Sequence, residues 1–137
     1  IFMSNRDGNY EIYTMAHDGS GQTRLTHTEE WEIFPVWSPD GTKIAYSSKY
    51  RAGGRMEGMI RVMNADGTGD RAITGIDSRD ENTMWSPDGR FILFQSLRDG
   101  NFEVYRANAD GGDPIRLTEH PAWDGWACCL PSSGRAD

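Results

Sequence analysis

The sequence predicts an all-β fold built from repeated four-stranded antiparallel sheets, and two recurring phrases carry this prediction. Trp37-Ser38-Pro39-Asp40-Gly41 returns 48 positions later as Trp85-Ser86-Pro87-Asp88-Gly89. An Asp-Gly pair followed by Leu-Thr or Ile-Thr occurs three times, ending at Thr26, Thr74 and Thr118. Self-similarity at about 40 to 50 residues is typical of propeller and solenoid architectures. The repeat therefore indicates an array of small sheets rather than one compact core.

Within each repeat, short apolar runs alternate with turn residues, as antiparallel strands do. We label the strands a to d: a leads into Trp-Ser-Pro-Asp-Gly, b follows that turn, c is the run that begins with Glu or Met, and d ends in Thr. The chain then contains b, c, d, followed by a, b, c, d twice and a last a-like strand around residues 126–130. Twelve strands predict a β-propeller array with three blades per chain. We expect segments at about 1–36 (a partial blade), 37–84, 85–122 and 123–137 (the last inner strand and a degenerate tail).

The Ser-Pro-Asp-Gly phrase has the chemistry of a tight turn between strands a and b. Pro39 sets φ for the second turn residue, Asp40 caps the turn, and Gly41 supplies the positive φ that closes it. The turn between strands b and c differs among the copies. Arg-Asp-Gly-Asn forms it in the first and third copies, whereas the second copy has a longer stretch from Lys49 to Gly58, for which we expect a loop.

Residues 35–46 and 96–105 resemble the repeats of the TolB-like (WD-type) β-propeller family, and the resemblance runs from Ile1 to about Thr118. Similar repeats occur in the propeller domains of Tricorn-type and prolyl-oligopeptidase-type proteases. The resemblance implies a six-bladed fold and a periplasmic scaffold role. It implies less about function than about fold, because the matching residues are turn and packing residues.

Composition and motifs narrow the classes of function. A net charge of −7 without a basic stripe excludes a nucleic-acid partner, and no apolar run reaches the roughly 20 residues that a membrane span needs. The sequence has no Gly-x-Ser-x-Gly, His-Glu-x-x-His or phosphate-binding glycine motif, which favours a protein without catalytic residues or a required cofactor. Cys128 and Cys129 are adjacent, so we expect two free thiols.

Three blades do not close a ring, since propellers have typically four to eight. An open array would expose two apolar blade faces, which monomeric proteins rarely tolerate. We therefore expect a homodimer that completes a six-bladed ring, in which the last inner strand of one copy completes the first blade of the other. The alternative is that the chain is a piece of a longer protein.

An acidic residue follows the terminal Thr of strand d by six positions in every copy: Glu32, Asp80 and Asp124. These acids would stand where the chain enters each inner strand, near the mouth of a central channel. Such a ring could bind a hard cation such as Ca²⁺ or attract a basic peptide. Alternatively, each acid caps its own connection or pairs with a neighbouring Arg.

Trp31 and Trp123 flank these acids, and Arg79 precedes Asp80 in the same type of connection. The two Trp side chains would form an aromatic rim for a peptide or sugar, or would pack between blades. Loops that vary on a repeated scaffold are the usual location of binding sites. We therefore predict a non-catalytic module that binds a protein or peptide. The alternatives are a regulatory propeller of a peptidase and a propeller that binds a metal or sugar.

Overall fold

Three antiparallel sheets make up the chain in a computed structural model that describes residues 1–76, 78–112 and 114–129. Their strand orders are β1-β2-β3, β4-β5-β6-β7 and β8-β9-β10-β11, and we call them blades 1, 2 and 3. The predicted all-β propeller repeat is confirmed. The strands are β1 (Phe2–Ser4), β2 (Glu11–Thr14), β3 (Thr23–Arg24), β4 (Trp31–Trp37), β5 (Lys43–Ala52), β6 (Arg55–Asn64), β7 (Arg71–Ala72), β8 (Asp80–Trp85), β9 (Phe91–Ser96), β10 (Glu103–Asn108) and β11 (Ile115–Arg116).

Blades 2 and 3 begin earlier than the expected boundaries at 37 and 85. Strands β4 and β8 pair with β5 and β9, so each inner strand belongs to the sheet that follows it. In blade 1, no strand of the described residues pairs with β1 on the corresponding side. The twelfth strand, expected around 126–130, is not formed over residues 126–129, and residues 130–137 lie outside the described part of the chain. The physical reason is that a strand needs a neighbour, and none of the three sheets pairs with this segment.

The stretch from Lys49 to Gly58 is a β-hairpin rather than the expected loop. Strands β5 and β6 pair continuously from Lys43 opposite Asn64 to Ala52 opposite Arg55. The two residues between them, Gly53 and Gly54, have φ values of 55° and 82°. Two consecutive positive φ angles are what the tightest hairpin turn requires. The extra residues therefore lengthen blade 2 beyond its neighbours.

The repeated Ser-Pro-Asp-Gly turns have the predicted structure. The Ser38 hydroxyl donates to the Asp40 carboxylate at 2.6 Å, and the Lys43 N–H donates to the Ser38 oxygen at 2.9 Å. Gly41 has a φ of 70°. The hydrogen bond from Ser38 foremost, with those from the backbone N–H and hydroxyl of Thr42, lowers the pKa of Asp40 to about 2. The copy at residues 86–91 has the same bonds at 2.6 and 2.9 Å.

Each d strand is fastened to its own blade by a repeated side-chain bond. The terminal Thr hydroxyl accepts a backbone N–H from strand c at 2.9, 3.0 and 3.0 Å in blades 1, 2 and 3. The short strands β3, β7 and β11 are thereby held beyond their two ladder residues. The donors and acceptors are Ile12 and Thr26, Ile60 and Thr74, and Val104 and Thr118.

The hydrophobic core is divided between the two blade junctions. The cluster between blades 2 and 3 includes Ile60, Trp85 and Phe94, and the smaller cluster between blades 1 and 2 includes Ile12 and Tyr46. Packing between neighbouring sheets is how a repeat array buries apolar surface. No helix long and apolar enough to cross a membrane occurs in the described ranges.

Candidate binding face

The loop face of the array carries the β1–β2, β5–β6 and β9–β10 turns and the connections that enter the inner strands. The side-chain amide of Asn9 donates to the carbonyl oxygens of Thr28 and Glu30 at 2.9 and 2.6 Å. Asn101 makes the equivalent bonds to the connection at 120–122, at 2.8 and 2.9 Å. Turn and connection are therefore held together as one surface in blades 1 and 3.

Two buried glutamates lie below this surface, each paired with an arginine of its own blade. Glu11 contacts Arg24 at 2.7 Å, and Glu103 contacts Arg116 at 3.0 Å. Glu103 also accepts bonds from the Thr118 hydroxyl, the backbone N–H at position 120 and other donors, which lower its pKa to about 2. Both glutamates thus pair with an arginine of strand d and hold strands c and d together.

Glu32 is the first of the three predicted acids and is only 1% exposed. One carboxylate oxygen accepts the hydroxyls of Thr28 and Ser48 at 2.8 and 3.2 Å, while Oε2 has no partner within the described residues. Burial raises the pKa of Glu32 to about 7, against the opposing effect of the two hydroxyls. The Glu32 carboxyl group is therefore inside the array and titrates near neutral pH.

Asp80, the second acid, is completely buried and pairs with an arginine of the neighbouring turn. The Arg98 guanidinium lies 2.9 Å from its carboxylate, and the Ser78 hydroxyl donates to the same group at 2.8 Å. The Arg98 side chain also lies over the Tyr105 ring, 4.7 Å from its centroid. Asp80 thus connects the inner strand of blade 3 to its β9–β10 turn.

Asp124, the third acid, is half-buried, and its backbone N–H donates to the Phe102 carbonyl at 2.8 Å. Glu32 makes the same backbone bond to the Tyr10 carbonyl at 2.8 Å, which confirms that the two positions are equivalent. Across residues 1–76, 78–112 and 114–129, no three His, Cys, Asp or Glu side chains form a group able to hold a metal ion. Calcium binding at the channel mouth stays a prediction.

The two predicted rim tryptophans are accessible. Trp31 is 43% exposed and packs edge-on against Tyr10, with ring centroids 5.8 Å apart, and Trp123 is 51% exposed. A half-exposed tryptophan held by a neighbouring ring offers a rigid apolar surface at small entropic cost. Both side chains can therefore contact a ligand on the loop face.

Arg79 has a strained backbone and an incompletely satisfied side chain. Its φ is 44°, an unfavourable value for a residue other than glycine. Its guanidinium lies over the Phe102 ring, 5.4 Å from the centroid, and its buried Nε has no acceptor within the described part of the chain. Strain of this kind is often found where a side chain is held in place for binding.

Two cavities adjoin on this face and share Met56 of the long hairpin. One, of about 360 Å³, combines the rings of Trp31 and Tyr50 with charged side chains; its lining is Glu29, Glu30, Trp31, Lys49, Tyr50, Arg51 and Met56. The other, of about 600 Å³, has three arginines; its lining is Arg55, Met56, Glu57, Ser78, Arg79, Leu97 and Arg98. The loop face therefore has a cavity with aromatic side chains next to a cavity with cationic side chains.

The arginines of the second cavity differ in how they are engaged. Arg98 is neutralised by Asp80, whereas Arg55 and Arg79 form no ion pair with any described residue. Glu57 is the carboxylate among the lining residues. The cavity therefore favours an anionic group through Arg55 and Arg79.

Sequence reasoning identified Arg79 and Trp31 but not Arg55, Tyr50 or Met56. These three residues lie in the stretch that we expected to be a loop, and a hairpin brings them beside the connections into β4 and β8. The signal that could have indicated them was the restriction of this insertion to one repeat, since a segment absent from the other copies is not needed for the scaffold.

A further cavity, of about 440 Å³, lies on the opposite face between the two Ser-Pro-Asp-Gly turns. Two of its three carboxylates, those of Asp40 and Asp88, are each already bonded to the serine of their own turn, at 2.6 Å in both cases. These two groups are therefore part of the scaffold, as the sequence predicts.

Comparison with known proteins agrees with this architecture. No family model matches the chain. A stretch of 53 residues, 39% of this chain, is 43% identical to the Tol-Pal system protein TolB of Desulfosudis oleivorans and spans 12% of that relative. The structure of putative TolB from Agrobacterium tumefaciens matches 90% of this chain and 43% of its own, with a TM-score of 0.74 and 25% identity.

Part of a peptidase structure has a similar fold. The puromycin-hydrolyzing peptidase of Mycobacterium tuberculosis matches 76% of this chain and 17% of its own, with a TM-score of 0.63 and 21% identity. The chain thus consists, over the matched part, of TolB-like propeller blades, and it spans less than half the length of the relatives that it matches.

Proposed function

Because its blades are TolB-like, we propose that this chain is a non-catalytic propeller module that binds an extended protein or peptide segment on its loop face. The observation that carries the proposal is the pair of adjoining cavities that share Met56. The relative from Desulfosudis oleivorans is named as a protein of the Tol-Pal system, which agrees with a role in protein binding. A periplasmic location stays a prediction from the family resemblance.

The two cavities define the chemistry of the segment. An aromatic or aliphatic side chain fits beside Trp31 and Tyr50, where apolar contact replaces water. A neighbouring carboxylate would meet Arg55 and Arg79, and a planar guanidinium can bind a carboxylate through two parallel hydrogen bonds. The preferred ligand is therefore a peptide with an apolar residue next to an acidic one. This revises the basic peptide expected from the acids, because Glu32 and Asp80 are buried.

We also propose that two copies form one six-bladed ring. Met15 and Leu117, at the two ends of the array, are 45% and 49% exposed, whereas the equivalent Met63 and Ile73 are 1% and 5% exposed between blades. Each end therefore presents the apolar surface that a neighbouring blade covers elsewhere in the chain. A second copy with twofold symmetry would cover both ends at once.

A regulatory propeller of a peptidase is the alternative function. The fold shared with the peptidase of Mycobacterium tuberculosis agrees with it, although a likeness at 21% identity concerns fold alone. In that case the loop face would contact a hydrolase domain rather than a free peptide. A metal- or sugar-binding propeller stays a further alternative, with Glu32, Asp80 and Asp124 as the acids that it would use.

The experiment starts with peptides selected by display against the purified chain and compares their dissociation constants for variants. We expect Trp31→Ala and Arg79→Gln each to weaken binding about tenfold, because truncation of a central aromatic or arginine contact commonly costs this much or more. Lys43→Gln is the matched control on the opposite face and should leave binding unchanged. Peptides that lose affinity with Lys43→Gln but not with the other two variants would place the binding site on the turn face and contradict the proposal.

A further inference from the structure

The long hairpin of blade 2 extends beyond both of its neighbouring strands. On one side, the pairing of β4 with β5 ends where Trp31 lies opposite Lys49. On the other side, β7 pairs with only two residues of β6. The hairpin itself continues until Ala52 lies opposite Arg55. Residues 50–57 therefore form a two-stranded extension, and the unpaired backbone groups of such an edge are a template for a further strand.

The backbone groups of Arg51 point to the side on which β4 has ended. In an antiparallel sheet, the N–H and C=O groups of successive residues point alternately to the two neighbouring strands. Ile60 sets the alternation here, because its N–H donates to the Thr74 hydroxyl and its C=O accepts from Ile73, both on the β7 side. Ser47 lies opposite Ile60, so its groups point to the β4 side. Those of Arg51, four residues further along β5, point to the same side.

The connection into β4 leaves the place beside Arg51 open. Asn9 binds the carbonyl oxygens of Thr28 and Glu30, which holds this connection against blade 1 rather than along β5. Within the described residues, no strand pairs with β5 beyond Lys49 on this side, and no backbone bond outside the sheets involves Arg51. The cavity of about 360 Å³ occupies this place, with Arg51 in its lining.

Blade 3 shows the arrangement in which the inner strand reaches the end of its neighbour. There β8 pairs with β9 up to Asp80, which lies opposite Ser96, the last residue of β9. The next N–H along the chain, that of Leu97, donates to the Ser78 carbonyl at 3.3 Å. The inner strand and its connection thus cover strand b of blade 3 completely, whereas in blade 2 they leave Arg51 uncovered.

Three contacts hold the open edge in position. Lys49 forms an ion pair with Glu81 of blade 3, and the Tyr50 hydroxyl donates to the carbonyl oxygen of Ile76. Gly58 lies so close to β8 that a Cβ at this position would come within 2.8 Å of a backbone oxygen of that strand. A binding surface that is held in its bound conformation loses little conformational entropy when the ligand arrives.

We infer that the peptide ligand binds as an added strand, antiparallel to β5 and in line with β4, with one of its residues paired to Arg51. The N–H of that residue donates to the Arg51 C=O, and its C=O accepts the Arg51 N–H, as in a hydrogen-bonded antiparallel pair. Backbone bonds of this kind provide affinity, while adjoining pockets select the side chains. This inference rests on the proposed peptide binding and specifies how the peptide backbone is held.

The contribution of the protein backbone can be tested by substitution of Arg51. Arg51→Pro removes the N–H that donates to the peptide, and proline is tolerated in a strand where the missing N–H faces away from the sheet. The matched control is Arg51→Ala, which removes the same side chain but keeps the N–H. Arg51→Pro should bind a selected peptide about tenfold more weakly than Arg51→Ala, because the peptide carbonyl loses its donor. Isothermal titration calorimetry measures both dissociation constants.

The contribution of the peptide backbone can be tested by replacing each amide of the peptide in turn with an ester. An ester removes one N–H and leaves the side chains unchanged. The ester at the residue paired with Arg51 should weaken binding about tenfold, whereas the esters directly before and after it should have little effect, because those N–H groups point away from β5. This measurement needs no change in the protein, so it decides the matter even where proline disturbs the hairpin.

The outcomes separate this inference from the function on which it rests. Peptides that depend on Trp31 and Arg79, but bind Arg51→Pro and Arg51→Ala equally and contain no single sensitive amide, would overturn the added strand and leave the proposed peptide binding. Selected peptides that are indifferent to Trp31→Ala and Arg79→Gln would overturn both. One sensitive amide between two insensitive ones, together with the effect of proline, supports both.

Discussion

The junction between blades 2 and 3 has an inner strand on each side, whereas the junction between blades 1 and 2 has one on a single side. The same pentapeptide contributes a tryptophan to each junction, yet Trp85 is 6% exposed and Trp37 is 38% exposed. The buried cluster comprises nine residues at the complete junction and four at the other. In a repeat array, the burial of a residue is thus determined by the neighbouring blade as much as by the residue's own repeat.

The largest difference in stability should be between substitutions of two equivalent phenylalanines, one in blade 3 and one in blade 1. Phe94 is 1% exposed, and Phe94→Ala should reduce the free energy of unfolding by about 4 kcal/mol, through lost burial and a residual cavity. Phe2, its half-buried equivalent in blade 1, should cost about 2 kcal/mol or less on the same substitution. Urea unfolding measures both values. Equal losses would show that the two ends do not differ in packing.

The equivalent residues Asp80 and Asp124 should differ almost as much in the stability that their substitution by Asn removes. Asp80→Asn leaves Arg98 partly buried without its carboxylate and should cost about 3 kcal/mol, since breaking a buried ion pair leaves an uncompensated charge. Asp124→Asn should cost less than about 0.5 kcal/mol in the single chain. Thermal unfolding at a protein concentration below the dimer dissociation constant measures both. A similar loss for Asp124→Asn would mean that this carboxylate is already engaged within the monomer.

Glu32 should make stability depend on pH. Burial raises its pKa from 4.5 to about 7, so the folded state retains a proton that the unfolded state releases between these values. The contribution of Glu32 to the free energy of unfolding therefore falls by about 3 kcal/mol as pH rises from 4.5 to 7, and it stays low above pH 7. Glu32→Gln should flatten this part of the stability curve measured by urea unfolding. A curve with an unchanged slope would contradict the assignment to Glu32.

The smallest effect should come from the turn of the long hairpin. Gly54 has a φ of 82°, and Gly54→Ala should cost about 1 kcal/mol because alanine adopts this conformation unfavourably. Gly75→Ala is the matched control, since that glycine has no positive φ and open space around its Cα. Differential scanning calorimetry compares the two. Equal effects would contradict the tight two-residue turn.

Much of the fold could be predicted because turn and strand signals are local and occur in several copies. The Thr that ends each d strand and the Ser-Pro-Asp-Gly turn both had the expected structures. The hairpin at residues 49–58 was missed because its charged residues obscure the alternation of a strand, although Gly53-Gly54 is itself a hairpin signal.

The candidate site was less predictable because it depends on contacts between segments far apart in sequence. The spacing of six residues from Thr placed Glu32 and Asp80 correctly at the start of inner strands. It could not show that both acids would be buried, with Glu32 bonded to two hydroxyls and Asp80 paired with Arg98. Nor could it show that Arg55 and Arg79, from two different blades, would line one cavity.

The bond from each terminal Thr to strand c has a consequence for the evolution of such arrays. Because donor and acceptor belong to the same blade, a duplicated unit of about 48 residues contains the hydrogen bond that holds its own outermost strand. Unequal recombination between repeats can therefore add or remove a whole unit without leaving a loose strand at the rim. Gene segments that encode such units are suited to producing rings of different sizes from one ancestral module.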